Sequence, residues 1–169
     1  MCIRDRLNTV VFLLLTLATT PAALAASNAP AFELPGDSGQ ISLEQYRDQV
    51  VFVDFWASWC VPCRRSFPWL NAMHAKYAEQ GLVIVGVNLD MERSDAAKFL
   101  EEYPAEFAVV YDADKQLARQ FEVIAMPSSY VFGRDGQIAA RHMGFKVKQQ
   151  DEYEALIVKA LRASGASTD

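Results

Sequence analysis

Apolar residues along the chain recur with two different periods. Positions 50–56 read Val-Val-Phe-Val-Asp-Phe-Trp, an almost unbroken apolar run interrupted by Asp54. Such a run suits a central strand covered on both faces. Positions 61–80 instead place Phe67, Leu70, His74 and Tyr77 at helical spacing, and Gly81 ends the pattern. Positions 82–87 form a second apolar strand. Helices are expected at 95–103 and 115–121, flanking a short strand at 107–110. In the first of these, Ala96, Phe99, Leu100 and Tyr103 make a core-facing stripe. Positions 128–132 and 138–143 read as antiparallel strands joined through a turn at Asp135-Gly136. The last helix covers 149–163, with Tyr153, Leu156, Ile157, Ala160 and Leu161 on its apolar side. Ser42-Leu43-Glu44-Gln45 has the form of a capping box opening a short helix. Positions 27–40, rich in Ala, Pro, Gly and Ser, look like an extended lead-in, and 164–169 like a frayed tail. Strands alternating with helices predict an α/β domain whose mixed sheet is covered on both faces.

One apolar run stands apart from this pattern. Val10 to Ala18 follows Arg4 and Arg6, Pro21 then breaks any helix, and Ala23-Leu24-Ala25 supplies a small-x-small site. These are the parts of a cleavable export signal. Residues 1–25 are therefore expected to be a signal peptide, with the mature domain at 26–169. The alternative is an N-terminal membrane anchor, for which the run is short. The whole chain is 51% hydrophobic and 22% charged, enough apolar material for one sizeable core. Its formal charge is −5 and it has no basic stripe, which argues against a nucleic-acid partner. A monomer is expected.

Export changes how the cysteines are read. Cys2 would leave with the signal, so the mature chain keeps Cys60 and Cys63. Two cysteines so close in sequence cannot staple distant segments together. In an oxidising compartment they point to redox chemistry. Trp59-Cys60-Val61-Pro62-Cys63 falls where the central strand hands over to a helix. A sulfur at a helix start faces unpaired N–H groups and the positive end of the dipole, and both favour the nucleophilic thiolate. Cys60 is at that edge and is expected to attack. Cys63 is one turn further in on the same side and is expected to resolve the mixed disulfide. Pro62 fits the first turn, where its missing N–H does no harm.

The run from Val53 to Cys63, Val-Asp-Phe-Trp-Ala-Ser-Trp-Cys-Val-Pro-Cys, resembles the active-site segment of thioredoxins. Pro68 stands where thioredoxins kink this helix, and Met126-Pro127 is similar to the family's cis-proline segment. The likeness extends to Gly133–Gly136 and Gly144-Phe145. The extra block between Asp90 and Gln116, with the export signal, resembles the TlpA/ResA-like branch. The resemblance implies a thioredoxin fold with an added helix–strand insertion. It implies an extracytoplasmic protein-disulfide reductase without a cofactor, acting on disulfide-containing exported proteins and recharged by a membrane thiol electron donor. Members of this branch often serve cytochrome c maturation. Asp54 then matches the buried acid that relays the proton of Cys63, Pro127 the cis-proline beside which residue 126 pairs with substrate, and Trp59 an apolar shield at the site. Two departures stand out. Gly86 occupies the position of the Lys that cytoplasmic thioredoxins place near the acid, and no Glu lies between the cysteines.

Other chemistries fit the residues less well. A thiol peroxidase of the peroxiredoxin class would want Thr three residues before its cysteine, where Ala57 stands. A Cu(I) carrier could use two thiolates, but His74 and His142 follow core or strand patterns rather than ligand spacing. No metal site is expected. The direction of exchange turns on the residues between the cysteines. Val61 and Pro62 supply no side-chain donor, so Cys60 is expected to be only moderately acidic, nearer the thioredoxin value of about 7 than the oxidase value of about 3.5. That favours a reductant over a disulfide oxidase or isomerase.

Overall fold

The computed structural model describes residues 33–37 and 39–163. The expected export signal, the domain boundary after residue 25 and the tail at 164–169 lie outside these residues. Seven strands form one mixed sheet in the order β2-β1-β5-β4-β3-β6-β7. In chain order they are β1 (Glu33–Gly36), β2 (Gly39–Ser42), β3 (Val50–Trp56), β4 (Leu82–Asn88), β5 (Ala108–Tyr111), β6 (Ser128–Phe132) and β7 (Ile138–Met143). The helices are α1 (Val61–Tyr77), α2 (Arg93–Glu102), α3 (Gln116–Gln120) and α4 (Gln150–Arg162).

Strand β3 is the centre. It runs parallel to β4 from Val50↔Leu82 to Trp56↔Asn88 and antiparallel to β6 from Val51↔Phe132 to Phe55↔Ser128. Every one of its residues is buried. Alternation sends Val50, Phe52 and Trp56 into one layer, with Cys60, Cys63, Phe67 and Leu70 of the α1 segment, Phe99 of α2, and Tyr153 and Ile157 of α4. Val51, Val53 and Phe55 face the other layer, with Leu117 of α3, Phe121, Tyr130 and Phe132. The expected mixed sheet with helices on both faces is what forms, and the block between Asp90 and Gln116 adds α2 and β5 to it.

Four expectations are corrected in detail. The lead-in is not merely extended: β1 and β2 pair as a hairpin from Glu33↔Ser42 to Gly36↔Gly39, and β1 extends the sheet beside β5. Its tight turn uses Gly39 at φ 119, a conformation that favours glycine. The capping box does not form. Ser42 ends β2 in extended geometry, its hydroxyl caps nothing, and only a 3-10 turn at Leu43–Tyr46 follows. Helix α1 stops at Tyr77, and a 3-10 turn at Ala78–Gln80 carries the chain to Gly81 at φ 91. The buried side of α1 is also wider than one stripe, adding Ser66, Trp69 and Met73. Pro68 lies inside α1, yet the helix runs on through it. Its missing N–H leaves the Arg64 carbonyl without its usual helical partner.

The ring of Phe67 is fully buried, 4.9 Å from Trp56, 4.9 Å from Phe99 and 5.4 Å from Phe107. Phe67→Ala is expected to cost about 3–5 kcal/mol, measured as a lower denaturant midpoint with an unchanged slope.

Candidate active site

The end of β3 delivers the chain to the helix start through a short bend at 57–59. Cys60 is the N-cap of α1 in extended geometry, with Pro62 in the first turn. Its N–H donates to the Ala57 carbonyl at 3.0 Å. Cys60 and Cys63 are joined as a disulfide, with Cα atoms 5.3 Å apart. The N–H of Cys63 points at the Cys60 sulfur at 3.3 Å, so a helix-start donor faces the atom expected to carry charge. Cys60 is 3% exposed and Cys63 fully buried, which leaves Cys60 the more accessible of the two.

The bend itself is held by a side chain that the sequence did not single out. Asp90, buried just past β4, accepts from the Ser58 N–H at 2.9 Å, the Ser58 hydroxyl at 2.9 Å and Asn88 Nδ2 at 2.8 Å. The N–H of Leu89 donates to the Trp56 carbonyl at 2.9 Å. The cysteine loop is thereby fastened to the end of the neighbouring parallel strand.

Asp54 is 1% exposed. Strand alternation puts its side chain in the same layer as Phe52, Trp56 and the two cysteines. Its Oδ1 accepts from the Ser129 hydroxyl at 2.6 Å, whereas Oδ2 is buried without a partner. Ser129 is opposite Asp54 in the β3–β6 ladder, and sequence reasoning missed it. Burial pushes the carboxyl up from its ordinary value to about 7, and the Ser129 hydrogen bond opposes that rise. Gly86 faces Asp54 from β4. A Cβ there would meet Phe107 Cε2 at 3.0 Å and Trp56 Nε1 at 3.1 Å. The two rings already fill the space a lysine stem would need, which gives the departure from cytoplasmic thioredoxins a steric cause.

The Met126–Pro127 peptide is cis. Pro127 is buried and Met126 half-buried, touching both core layers. Trp59 is 66% exposed, and Val61, Met91 and Ile124 are other exposed large apolar side chains. His74 lies 11 residues beyond Cys63 on α1, about 16 Å along the axis. His142 packs on Tyr153 with ring centres 3.9 Å apart. Among the described residues no group of three or more His, Cys, Asp and Glu side chains is arranged to hold a metal ion.

A seven-stranded sheet with a dithiol pair at the start of its central helix defines a thioredoxin-fold redox protein. The AhpC/TSA family pattern matches residues 25–141, and the chain belongs to that family. It is 30% identical over 127 residues to the thiol-disulfide oxidoreductase ResA of Bacillus thuringiensis subsp. konkukian, covering 74% of this chain and 73% of that one. The ResA of Geobacillus kaustophilus is 30% identical over 132 residues, with 78% and 76% covered. Among solved structures, one provisionally assigned as a thiol:disulfide interchange protein DsbE from Chlorobium tepidum superimposes with a TM-score of 0.78 at 46% identity. It covers 79% of this chain and 95% of its own. This chain is a thiol-disulfide oxidoreductase.

The raised Asp54 carboxyl has a measurable consequence for stability. Between about pH 4 and about pH 7 the folded protein holds a proton that the unfolded chain has released. Stability therefore falls as pH rises through that window. Asp54→Asn removes the penalty. It is expected to be more stable than wild type at pH 8, by at most about 4 kcal/mol at about 1.4 kcal/mol per pKa unit. The difference should vanish near pH 4. Denaturant titrations at several pH values check it.

Proposed function

We propose that the protein is a reductant of disulfides in exported proteins, working through Cys60 as nucleophile and Cys63 as resolving thiol. The observation that supports it most is the placement of the pair: the less deeply buried sulfur at the start of α1, the fully buried one a turn behind it, and a proton-accepting carboxyl in the same layer. The Cys60 thiolate attacks a client disulfide, forming a mixed disulfide and releasing one client thiolate. Cys63 then gives its proton to the Asp54 carboxylate and attacks the Cys60 sulfur. The second client thiolate leaves, and the Cys60–Cys63 disulfide remains. A carboxyl that titrates near 7 is poised for this exchange at neutral pH. Trp59 offers an apolar contact to substrate, and the backbone of Met126, beside Pro127, pairs with an extended substrate segment, as the family resemblance implies.

Reduction is favoured over oxidation by the turn between the sulfurs. Val61 and Pro62 contribute no polar side chain, and Pro62 has no N–H to lend. For this couple about 30 mV equals about 1.4 kcal/mol, so one missing charge-assisted hydrogen bond moves the balance appreciably. A peroxidase role is disfavoured by Ala57, which has no hydroxyl three residues before Cys60. The expected export signal at residues 1–25 supports an activity outside the cytoplasm, with a membrane thiol donor as the source of electrons and a mature chain starting near Ala26. No helix among the described residues is long and apolar enough to cross a membrane.

Two measurements test this reading. Cys63→Ser should accumulate mixed disulfides with clients, cytochrome c precursors included if they are substrates, whereas Cys60→Ser should trap none. Equal trapping by both variants would reverse or abolish the assignment. In a redox titration against glutathione, the potential should lie well below the oxidase value of about −120 mV. A value at that level would make the protein an oxidant.

A further inference from the structure

Three side chains stand in a row across the sheet behind the cysteines. Asp54 on β3 is opposite Ser129 on β6, and Ser129 is opposite His142 on β7. Residues opposite each other in an antiparallel ladder share a face, so all three project into the layer that holds the cysteines. The first link is made: the Ser129 hydroxyl donates to Asp54 Oδ1 at 2.6 Å. The second is bordered by a cavity with about 10 Å³ of space for a water centre, lined by Ser129, His142, Phe52, Val131 and Tyr153 among others. That is room for about one water molecule. Nε2 of His142 is sealed from solvent and has no hydrogen-bond partner, although the residue as a whole still reaches the surface. A buried ring nitrogen without a partner is costly unless something polar meets it.

We propose that Ser129 and His142 form the path by which Asp54 exchanges its proton with solvent, with His142 as the outer relay. This rests on the reading of Asp54 as the group that takes the proton of Cys63. After that step Asp54 is neutral, and it must release the proton before the next cycle. Asp54 passes it to the Ser129 oxygen. With its hydroxyl turned from Asp54 toward the cavity, Ser129 gives its own hydrogen to a water occupying that space, the water gives one of its own to the buried nitrogen of His142, and the opposite nitrogen releases one to solvent. One proton leaves Asp54 and one enters the medium; Ser129 regains a hydroxyl hydrogen, and His142 is left as its other neutral tautomer, which a rotation of the ring resets before the next cycle. An imidazole suits the task because its ordinary pKa lies near neutrality, and burial lowers that of His142, which keeps the ring neutral and able to accept a proton. The gap that Trp56 and Phe107 close at Gly86 removes the route a lysine would have offered on the other side of Asp54.

The neighbours leave His142 free for this role. From α4 the Tyr153 ring packs on it, but the Tyr153 hydroxyl donates to Gln149 Oε1 and accepts from the Lys146 N–H. Glu154, next along α4, is engaged by Lys76 and Tyr77. Arg141 borders the cavity too, but its guanidinium sits over the Tyr130 ring, on the opposite face of the sheet. From β6, Ser129 is the polar group that faces it.

The test uses the purified protein carrying His142→Phe, which keeps a ring against Tyr153 and removes both nitrogens. Near- and far-ultraviolet circular dichroism establishes that it folds. Resolution of a glutathione mixed disulfide is followed by stopped flow at pH 7 in dilute, non-nucleophilic buffer over repeated turnovers. His142→Phe and Ser129→Ala should each slow turnover about tenfold, less than the hundredfold or more expected of a group touching the reacting atoms. Neither should slow it further in an Asp54→Asn background. Added imidazole should restore a His142→Gly variant. A wild-type rate in His142→Phe, or equal slowing in the Asp54→Asn background, would make His142 a packing residue. If Asp54→Asn alone turns over at the wild-type rate, the role of Asp54 toward Cys63 fails. The path is then judged by carboxyl ¹³C resonances of Asp54: exchange broadening at its titration midpoint in His142→Phe supports it, and an unchanged line shape overturns it.

Discussion

Strand β3 is hydrogen-bonded along both edges and covered on both faces, and the rest of the molecule is arranged around that constraint. A strand so enclosed can carry only apolar side chains without penalty, which is why its sequence is nearly continuous Val, Phe and Trp. It also cannot shift in register, since a slip by one residue would exchange the two layers. The bend after Trp56 therefore leaves from a fixed point. With Asp90 holding Ser58 and Leu89 holding the Trp56 carbonyl, the first turn of α1 has a defined position relative to the sheet. Redox chemistry at Cys60 borrows its geometry from the most rigid part of the fold.

Asp54 is the one residue of β3 that breaks the rule, and its chemistry follows from the company it keeps. Dense aromatic packing from Trp56, Phe67, Phe99 and Phe107 makes the layer stable and also strips water from around the carboxyl. The same packing closes the space at Gly86 through which a cation could have approached. What is left is a single hydroxyl from the neighbouring strand. The carboxyl is thus tuned mostly by desolvation rather than by a charge, and it gives up stability at neutral pH in return for a proton affinity near the working range.

How much of this could be read from the sequence varies with the reach of the interactions. The cysteine pair was legible because its context is local: an apolar strand, a bend and a helix with Pro62 in its first turn. Strands 128–132 and 138–143 were found at their observed bounds because strong β formers are separated by a clear glycine turn. The β1–β2 hairpin was not, since strands of four residues containing Gly and Pro show no usable period. Trp69 and Met73 escaped because α1 is packed against both the sheet and α4, so its buried arc exceeds a single stripe. Ser129 and Asp90 act across the sheet, on groups 75 and 32 residues away. Cross-strand register and long loop contacts have no signature in a single segment.

Pro68 divides α1 into two unequal pieces. Upstream of it stands the turn that carries the cysteines, and the Arg64 carbonyl there has lost the amide that would tie it to the next turn. Downstream, the helix is anchored by Trp69, Leu70, Met73 and Tyr77 in the core. The upstream piece is held instead by packing and by the bend before it, with Cys63 and Phe67 fully buried and Asp90 bonded to Ser58. The missing amide removes one backbone tie along the helix at this joint, so the cysteine turn takes its position from the sheet and the bend beneath it more than from the anchored half downstream.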